Sequence, residues 1–178
     1  MGQLIPIQLV REAHENASAC SNCKGLCCQT LPGEILPSDL GDDLNPAQMY
    51  ARIREMLQSG NYSVDWWDCP PFSKEDLHEV DRHTPGYFLR PATVRGKGQW
   101  FDASWGGTCT FHTASGCALE AQHRPSGCLS LVPRIEQDGS PSCYSAEGWD
   151  GKLTAAKAWW PYRGVFLRLR RERQALAA

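Results

Sequence analysis

Nine cysteines in a chain of 178 residues limit the possible folds of this protein more than any other part of its sequence. Eight of them lie in two dense stretches, one from Cys20 to Cys28 and the other from Cys109 to Cys143. An odd number of thiols cannot pair off completely as disulfides, and buried structural thiols would be scattered along the chain. We therefore expect these cysteines to bind a metal.

Composition narrows the class of protein further. Hydrophobic residues make up 42% of the sequence, which is enough for the core of one domain. The formal net charge is −2, which argues against a globally basic nucleic-acid binder. The sequence has neither an apolar run long enough to cross a bilayer nor the basic start of a signal peptide. We therefore expect a single domain over residues 1–178 and a cytoplasmic location. The reducing conditions of the cytoplasm disfavour structural disulfides.

Helix start signals recur along the chain. Asn45 can serve as the N-cap, Pro46 as the first helical residue and Gln48 as the third residue of a capping box. The predicted helices are a short one around Leu9–Ala17, one over 46–59, one from Ser73 to about His83, one over Lys152–Trp160 capped by Asp150, and a last one from Pro161 to about Gln174.

Short strands are predicted from Tyr87 to Val94 and from Gln99 to Ser104, around a glycine-containing turn. The stretch 105–145 is rich in turn residues and carries the second cysteine group. The sequence therefore predicts a small, irregular, metal-stabilised α+β domain with several helices and a few short strands. Its metal-ligand core would span about 20–143, followed by a helical segment over about 150–176.

The first cysteine group has the form C-x2-C-x3-C-C and comprises Cys20, Cys23, Cys27 and Cys28. A Cys-x-x-Cys pair places two thiolates about one turn apart, so both can reach one metal. Gly25 lets the backbone turn tightly and bring N–H groups close to sulfur, which stabilises thiolate charge. Adjacent cysteines seldom chelate one metal, so Cys27 or Cys28 would serve a second metal or simply pack.

The second group contains Cys109, Cys117 and Cys128, each with a glycine one or two residues before it. A flexible backbone beside a sulfur therefore occurs three times. Arg124 precedes Cys128 and is a candidate counter-charge for the thiolates, with a surface salt bridge as the alternative.

Together these motifs resemble the bacterial CxxCxxCC proteins, also called the YkgJ-type cysteine cluster family, which are described as zinc- or iron-chelating. The resemblance covers C-x2-C-x3-C-C, G-x-C-x-F, G-C and R-P-x-x-C, from Cys20 to Cys128. It implies as metal ligands Cys20, Cys23, Cys27, Cys28, Cys109, Cys117 and Cys128. Arg124 matches the arginine of the family's R-P pair, and Leu129 stands where the family often has arginine.

Three further residues stand outside this pattern. Cys69, beside two prolines, is interpreted as a lone thiol. Cys143 is either a further ligand or a thiol without a role. His112 stands at ligand spacing from Cys109, but the family pattern does not require it, so we interpret it as a packing or solvated histidine.

Either zinc or an iron–sulfur cluster would suit the thiolates. Zinc needs four donors, and seven cysteines suggest two zinc ions with shared thiolates. A cluster needs four thiolates and a shielded pocket, which Trp66, Trp67, Trp100, Phe101, Trp105 and Phe111 could line. Flagellin lysine N-methylases carry a similar cysteine region associated with a [4Fe-4S] cluster, so we favour an iron–sulfur cluster, with zinc as the alternative.

Three functions are consistent with the sequence. The first is a metal-binding protein with a redox or modification-related role, and the second is a cluster-dependent enzyme that modifies protein or RNA. The third is a structural zinc protein that acts through its basic C-terminal helix. The segment Arg163–Arg173 could contact nucleic acid or an acidic protein, but we favour its interpretation as an amphipathic helix that closes the fold.

Overall fold

The computed structural model describes residues 23–68, 71, 85–103, 106–146, 148 and 150–177. These residues form a mixed α+β fold, which confirms the predicted class; its stabilisation by metal stays a prediction. The helices predicted at Leu9–Ala17 and from Ser73 to His83 lie outside the described residues. None of the helices in the described ranges combines the length and the apolar composition that a bilayer span requires.

The elements are short apart from two longer helices. The helices are α1 Leu26–Thr30, α2 Pro46–Gln58, α3 Ser126–Leu129, α4 Gly151–Trp159 and α5 Arg163–Ala177. The strands are β1 Tyr62–Trp67, β2 Gly86–Pro91, β3 His112–Thr113, β4 Gly116–Cys117, β5 Leu131–Ile135 and β6 Pro141–Ser145. They form three antiparallel pairs, β1 with β2, β3 with β4 and β5 with β6.

Helix α2 forms as its sequence predicts. The Asn45 side chain accepts hydrogen bonds from the Ala47 and Gln48 backbone N–H groups, each at 3.0 Å, and the Gln48 side chain accepts the Asn45 N–H. This capping box satisfies amide groups that would otherwise lack partners. The buried face of the helix consists of Met49, Ile53, Met56 and Leu57.

Strands β1 and β2 lie at the centre of the core. Their register runs from Tyr62 opposite Pro91 to Trp67 opposite Gly86. The first four residues of β1 and all of β2 are buried, so neither strand shows the alternating pattern of a half-exposed sheet.

An ion-pair network inside this sheet holds Arg90, which is 0% exposed. Arg90 Nε lies 2.8 Å from Asp65 Oδ2, and Arg90 Nη2 lies 3.3 Å from Asp102 Oδ2. Lys152 Nζ, from α4, reaches the same oxygen of Asp65 at 3.2 Å. Buried charges are tolerated when they are paired and hydrogen-bonded, as these are.

Helices α4 and α5 close one side of the core. Trp159 is fully buried, its Nε1 donates to the Ile35 carbonyl at 2.6 Å, and its ring centroid lies 5.2 Å from that of Phe166. The two helices begin and end close to their predicted positions. Pro161, the predicted first residue of the last helix, lies instead in a 3₁₀ turn, Trp160–Tyr162, before α5.

The predicted cap of α4 is wrong in one detail. The Asp150 side chain makes no capping hydrogen bond. Instead, the Asp150 backbone N–H donates to Thr154 Oγ1 at 2.8 Å. A side chain within the helix therefore satisfies the backbone N–H of the N-cap residue.

The arginines of α5 contact aromatic groups of the same chain. Arg168 lies 3.8 Å from the centroid of the Tyr50 ring, and Arg170 donates to the Tyr87 hydroxyl at 2.9 Å. The buried residues of this helix are Val165, Phe166 and Leu169. These contacts favour the interpretation of α5 as a helix that closes the fold.

The second predicted strand is wrong. Within residues 99–103 only Phe101 pairs, through one parallel bridge to Val64. The Gln99 N–H donates to the Gly96 carbonyl at 2.9 Å, so Gln99 still belongs to the preceding turn. Too few residues then remain extended to form the predicted strand. The first predicted strand is confirmed over Gly86–Pro91 but ends before Val94.

Candidate metal centre

The two cysteine groups meet in space. The Cys109 backbone N–H donates to the Cys28 carbonyl at 2.7 Å, and the Gly107 N–H donates to the Thr30 carbonyl, also at 2.7 Å. Cys109 also forms an isolated bridge with Thr93, just beyond β2. Backbone hydrogen bonds therefore join α1, the segment after β2 and the second cysteine group.

Glycines allow this approach. Gly25, with φ +78°, lies so close to the β3–β4 hairpin that a Cβ would stand 3.3 Å from Gly116 Cα and 3.3 Å from His112 Cδ2. Gly116 has φ +119°, a conformation that other residues rarely adopt. The glycines beside the cysteines thus allow positive φ angles and let the two cysteine groups pack closely.

Three sulfur atoms accept hydrogen bonds from backbone N–H groups. Cys109 Sγ accepts from Phe111 N at 3.4 Å, and Cys117 Sγ accepts from Leu119 N at 3.4 Å. The Gly33 N–H hydrogen-bonds to the Cys128 sulfur. Donors of this kind stabilise thiolate charge around a metal.

Three thiols of the two groups are hydrogen-bonded to each other. The Cys28 thiol interacts with the sulfurs of both Cys27 and Cys117. These hydrogen bonds raise the pKa of Cys28, and the bond with Cys28 is the main reason why the pKa of Cys27 and that of Cys117 fall to about 6. The thiols of the two groups are therefore close enough to influence each other's pKa.

The other two cysteines of the cluster are held neutral by burial. Burial raises the pKa of Cys109 to about 11 and also raises the pKa of Cys128. Cys128 interacts electrostatically with Cys109 and Cys117. Five sulfurs therefore share one region, and they belong to Cys27, Cys28, Cys109, Cys117 and Cys128.

Arg124 lies beside this cluster. Its Nε donates to the Leu119 carbonyl at 3.1 Å, and its guanidinium hydrogen-bonds to the Cys117 sulfur and helps lower the pKa of that thiol. The position suits a counter-charge, and a contact between Arg124 and a cofactor stays a prediction.

The His112 side chain contacts the backbone of the first cysteine group. Its Nε2 lies 3.2 Å from the Lys24 carbonyl oxygen, and its ring packs against Gly25. This geometry favours the packing interpretation of His112 over the role of a ligand.

The remaining cysteines are placed differently. Cys23 and Cys143 line a pocket together with Cys27. Cys20, the first predicted ligand, and Cys69 lie outside the described residues.

Part of the predicted aromatic wall lies at the cluster. Phe111 is buried next to Cys109, and its ring centroid lies 5.7 Å from that of Tyr62, whose pKa burial and the nearby Cys109 raise to about 12. Trp105 lies outside the described residues. Phe101 packs edge-on against Tyr87, at a centroid distance of 6.1 Å, within the aromatic core.

The donor set fits a soft metal, although the described part of the chain holds no preformed coordination sphere. All seven described cysteines are free thiols. Within the described ranges, no three His, Cys, Asp or Glu side chains already stand in a metal-holding arrangement. Metal entry would therefore replace the protons of these thiols.

Two residues of this region carried no signal in the sequence. A Cβ on Gly33 would stand 2.6 Å from Cys128 Sγ, so Gly33 must be glycine. Glu34, next to it, is a buried carboxylate, 4% exposed. In the sequence both residues belong to a loop rich in proline and glycine, where such residues are expected for turns alone.

Fold and site together define an α+β protein in which two cysteine groups converge. No protein-family model, no curated protein and no solved structure matches this chain.

Proposed function

We propose that this protein binds a metal through its converging cysteines, as an iron–sulfur cluster or alternatively as zinc. The proposed ligands come from both groups: Cys20, Cys23, Cys27, Cys28, Cys109, Cys117 and Cys128. A cluster would supply one-electron chemistry for a redox or modification-related role, whereas zinc would supply structure.

The observation that supports this proposal best is the set of N–H donors on sulfur. Cys109 and Cys117 each accept an N–H from the residue two positions later, at 3.4 Å, and Cys128 accepts one from Gly33. A neutral packed thiol has little need of such donors, because sulfur is a weak acceptor. A thiolate bound to metal benefits from each of them.

The surrounding residues would balance the charge of the centre. Several thiolates on one metal leave net negative charge, and Arg124 places a guanidinium on the Cys117 sulfur. The resemblance to the CxxCxxCC family agrees with this arrangement, because Arg124 matches the arginine of its R-P pair.

Anaerobic purification followed by metal and sulfide analysis tests the proposal. Iron with a matching amount of acid-labile sulfide and visible absorption is the result expected for a cluster. Zinc without sulfide or colour would select the alternative. Protein that is pure and folded but contains neither metal would overturn the proposal.

A cluster-dependent modifying enzyme is the second candidate function, and one observation favours it. A pocket opens beside Cys23 and Cys27, where a substrate could approach the centre. The interaction module is not favoured, because Arg168 and Arg170 contact Tyr50 and Tyr87 within the fold.

A further inference from the structure

A cavity of about 370 Å³ lies beside the cysteine cluster. Its wall includes Cys23 and Cys27 on one side and Cys143 of β6 on another. The volume falls within the range of pockets that hold small molecules.

One buried carboxylate belongs to this pocket. Glu34 is 4% exposed and lines the cavity, as do Gly127 and Gly151. A Cβ on Gly127 would stand 2.6 Å from Glu34 Oε2, and one on Gly151 would stand 3.7 Å from Oε1. The carboxylate therefore lies between two glycines whose missing side chains leave it room.

The described residues offer this carboxylate little compensation. A hydrogen bond with its own backbone N–H is the first of the favourable contributions, but burial outweighs it, so the pKa of Glu34 is raised. Lys152 and Arg90 contribute favourable charge, but Asp65 opposes them, and Lys152 Nζ and Arg90 Nε both bind Asp65 Oδ2, at 3.2 and 2.8 Å. An ionised carboxylate in a buried site is costly unless a cation pairs with it.

The rest of the pocket is largely apolar. Leu26 lines the pocket although 46% of it is exposed, and Leu131, Pro32 and Pro141 also line it. Exposed apolar side chains at the rim of a pocket mark a surface where a ligand can bury hydrocarbon.

We propose that this pocket binds a small aliphatic amine in its ammonium form, with the cation on the Glu34 carboxylate and the alkyl chain against Leu26 and Leu131. The inference goes beyond the proposed metal function and does not require it. A carboxylate only accepts hydrogen bonds and an ammonium group only donates them, so the two match in charge and in hydrogen bonding.

Titration calorimetry on the full chain, as purified, tests the proposal with n-pentylamine and the neutral n-pentanol. We expect the amine to bind at least about tenfold more tightly, because a charge-assisted hydrogen bond is lost with the alcohol. A third ligand, a short peptide whose one charged group is a lysine side chain, separates a free amine from one carried on a polypeptide.

Two variants and a control locate the site. Glu34→Gln should abolish the preference for the amine, and Leu26→Ser should weaken both ligands. Glu55→Gln removes an exposed charge from α2 and should change neither. Equal binding of amine and alcohol to the native protein, or an unchanged preference in a folded Glu34→Gln variant, would overturn the proposal. Metal content, measured on the same samples, reports separately on the metal function.

Discussion

Gly33 lies against Cys128 so closely that a Cβ on Gly33 would stand 2.5 Å from the Cys128 backbone N and 2.6 Å from its sulfur. The Gly33 N–H also hydrogen-bonds to that sulfur. A residue outside both cysteine groups therefore helps to position the last cysteine of the second one.

Gly33→Ala should displace Cys128. Contacts that close are possible only after the backbone shifts, and overpacking of this kind costs about 1–3 kcal/mol. We expect lower stability in urea denaturation and less metal per chain. Gly164→Ala is the matched control, because an added Cβ would meet no described atom within 4 Å beyond its chain neighbours and the backbone of its own helix, and alanine favours a helix. Equal metal content in the two variants would show that Gly33 does not position a ligand.

Replacing cysteines one at a time should distinguish those that bind the metal from those that do not. Cys23→Ser and Cys128→Ser should lose metal, because a serine hydroxyl is a much poorer donor for a soft metal. Cys69→Ser should keep full metal content, because Cys69 matches no motif. Metal per chain, measured side by side, decides the matter. Loss in Cys69→Ser as large as in Cys23→Ser would mean that the ligand set is wrongly chosen.

Metal removal should loosen one part of the protein more than the rest. The segment 106–130 contributes few buried apolar side chains, whereas α2, β1, β2, α4 and α5 share a large core. Amide exchange after chelation should therefore accelerate in 106–130 and around α1, while β1 and β2 stay protected. Unchanged exchange around Cys109 and Cys117 would contradict a metal held there.

The longest helices and strand β2 were predictable from the sequence, but strand β1 was not. Asn45, Pro46 and Gln48 act locally, so α2 follows from residues that lie close together in the chain. Strand β1 was not predicted, since four successive buried residues, one of them Asp65, hide any alternation. Burial of Asp65 depends on Arg90, which is distant in sequence.

The cysteines of the candidate site could be named from the sequence, and their role as metal ligands stays a prediction; the surroundings of these cysteines could not be predicted. Spacing and glycines pointed to Cys109, Cys117 and Cys128, and these sulfurs do lie near those of the first group. Glu34 and its pocket arise from contacts with Gly127 and Gly151, far along the chain. Such packing leaves no local pattern in a sequence.

Asp65→Asn should be strongly destabilising. Asp65 Oδ2 lies 2.8 Å from Arg90 Nε and 3.2 Å from Lys152 Nζ, so the amide would leave buried cations without their counter-charge. Breaking a buried pair in this way costs about 3–5 kcal/mol, which urea denaturation would measure. Asp42→Asn, at an exposed position, should stay within about 0.5 kcal/mol of the native protein. Similar stabilities of the two variants would contradict the role assigned to Asp65.

The pH dependence of stability should have opposite signs at two glutamates. Burial raises the pKa of Glu34, so its contribution is full below the ordinary value of 4.5 and is lost as pH rises through the folded pKa. Hydrogen bonds from Tyr50 and then Arg54 lower the pKa of Glu172, so its contribution is full above 4.5 and is lost as pH falls through the folded pKa.

Between about pH 4 and pH 8, Glu34→Gln should therefore gain stability relative to the native protein as pH rises. Glu172→Gln should become relatively less stable as pH rises towards 4.5, and its relative stability should stay constant above that value. Denaturation curves at several pH values measure both differences. A relative stability of Glu34→Gln that is constant with pH would contradict its buried, pKa-shifted carboxylate.

The contacts that close the core also set the order in which it can form during synthesis. Trp159 reaches Ile35 across 124 positions, and Tyr162 reaches Leu44 across 118. Contacts this remote in sequence form only after a long stretch of chain has closed into a loop. While the ribosome is still making the segment before Trp159, the apolar faces of α2 and β2 have no cover. The nascent chain therefore exposes this apolar surface until α4 and α5 emerge. During that interval, aggregation or chaperone binding competes with folding.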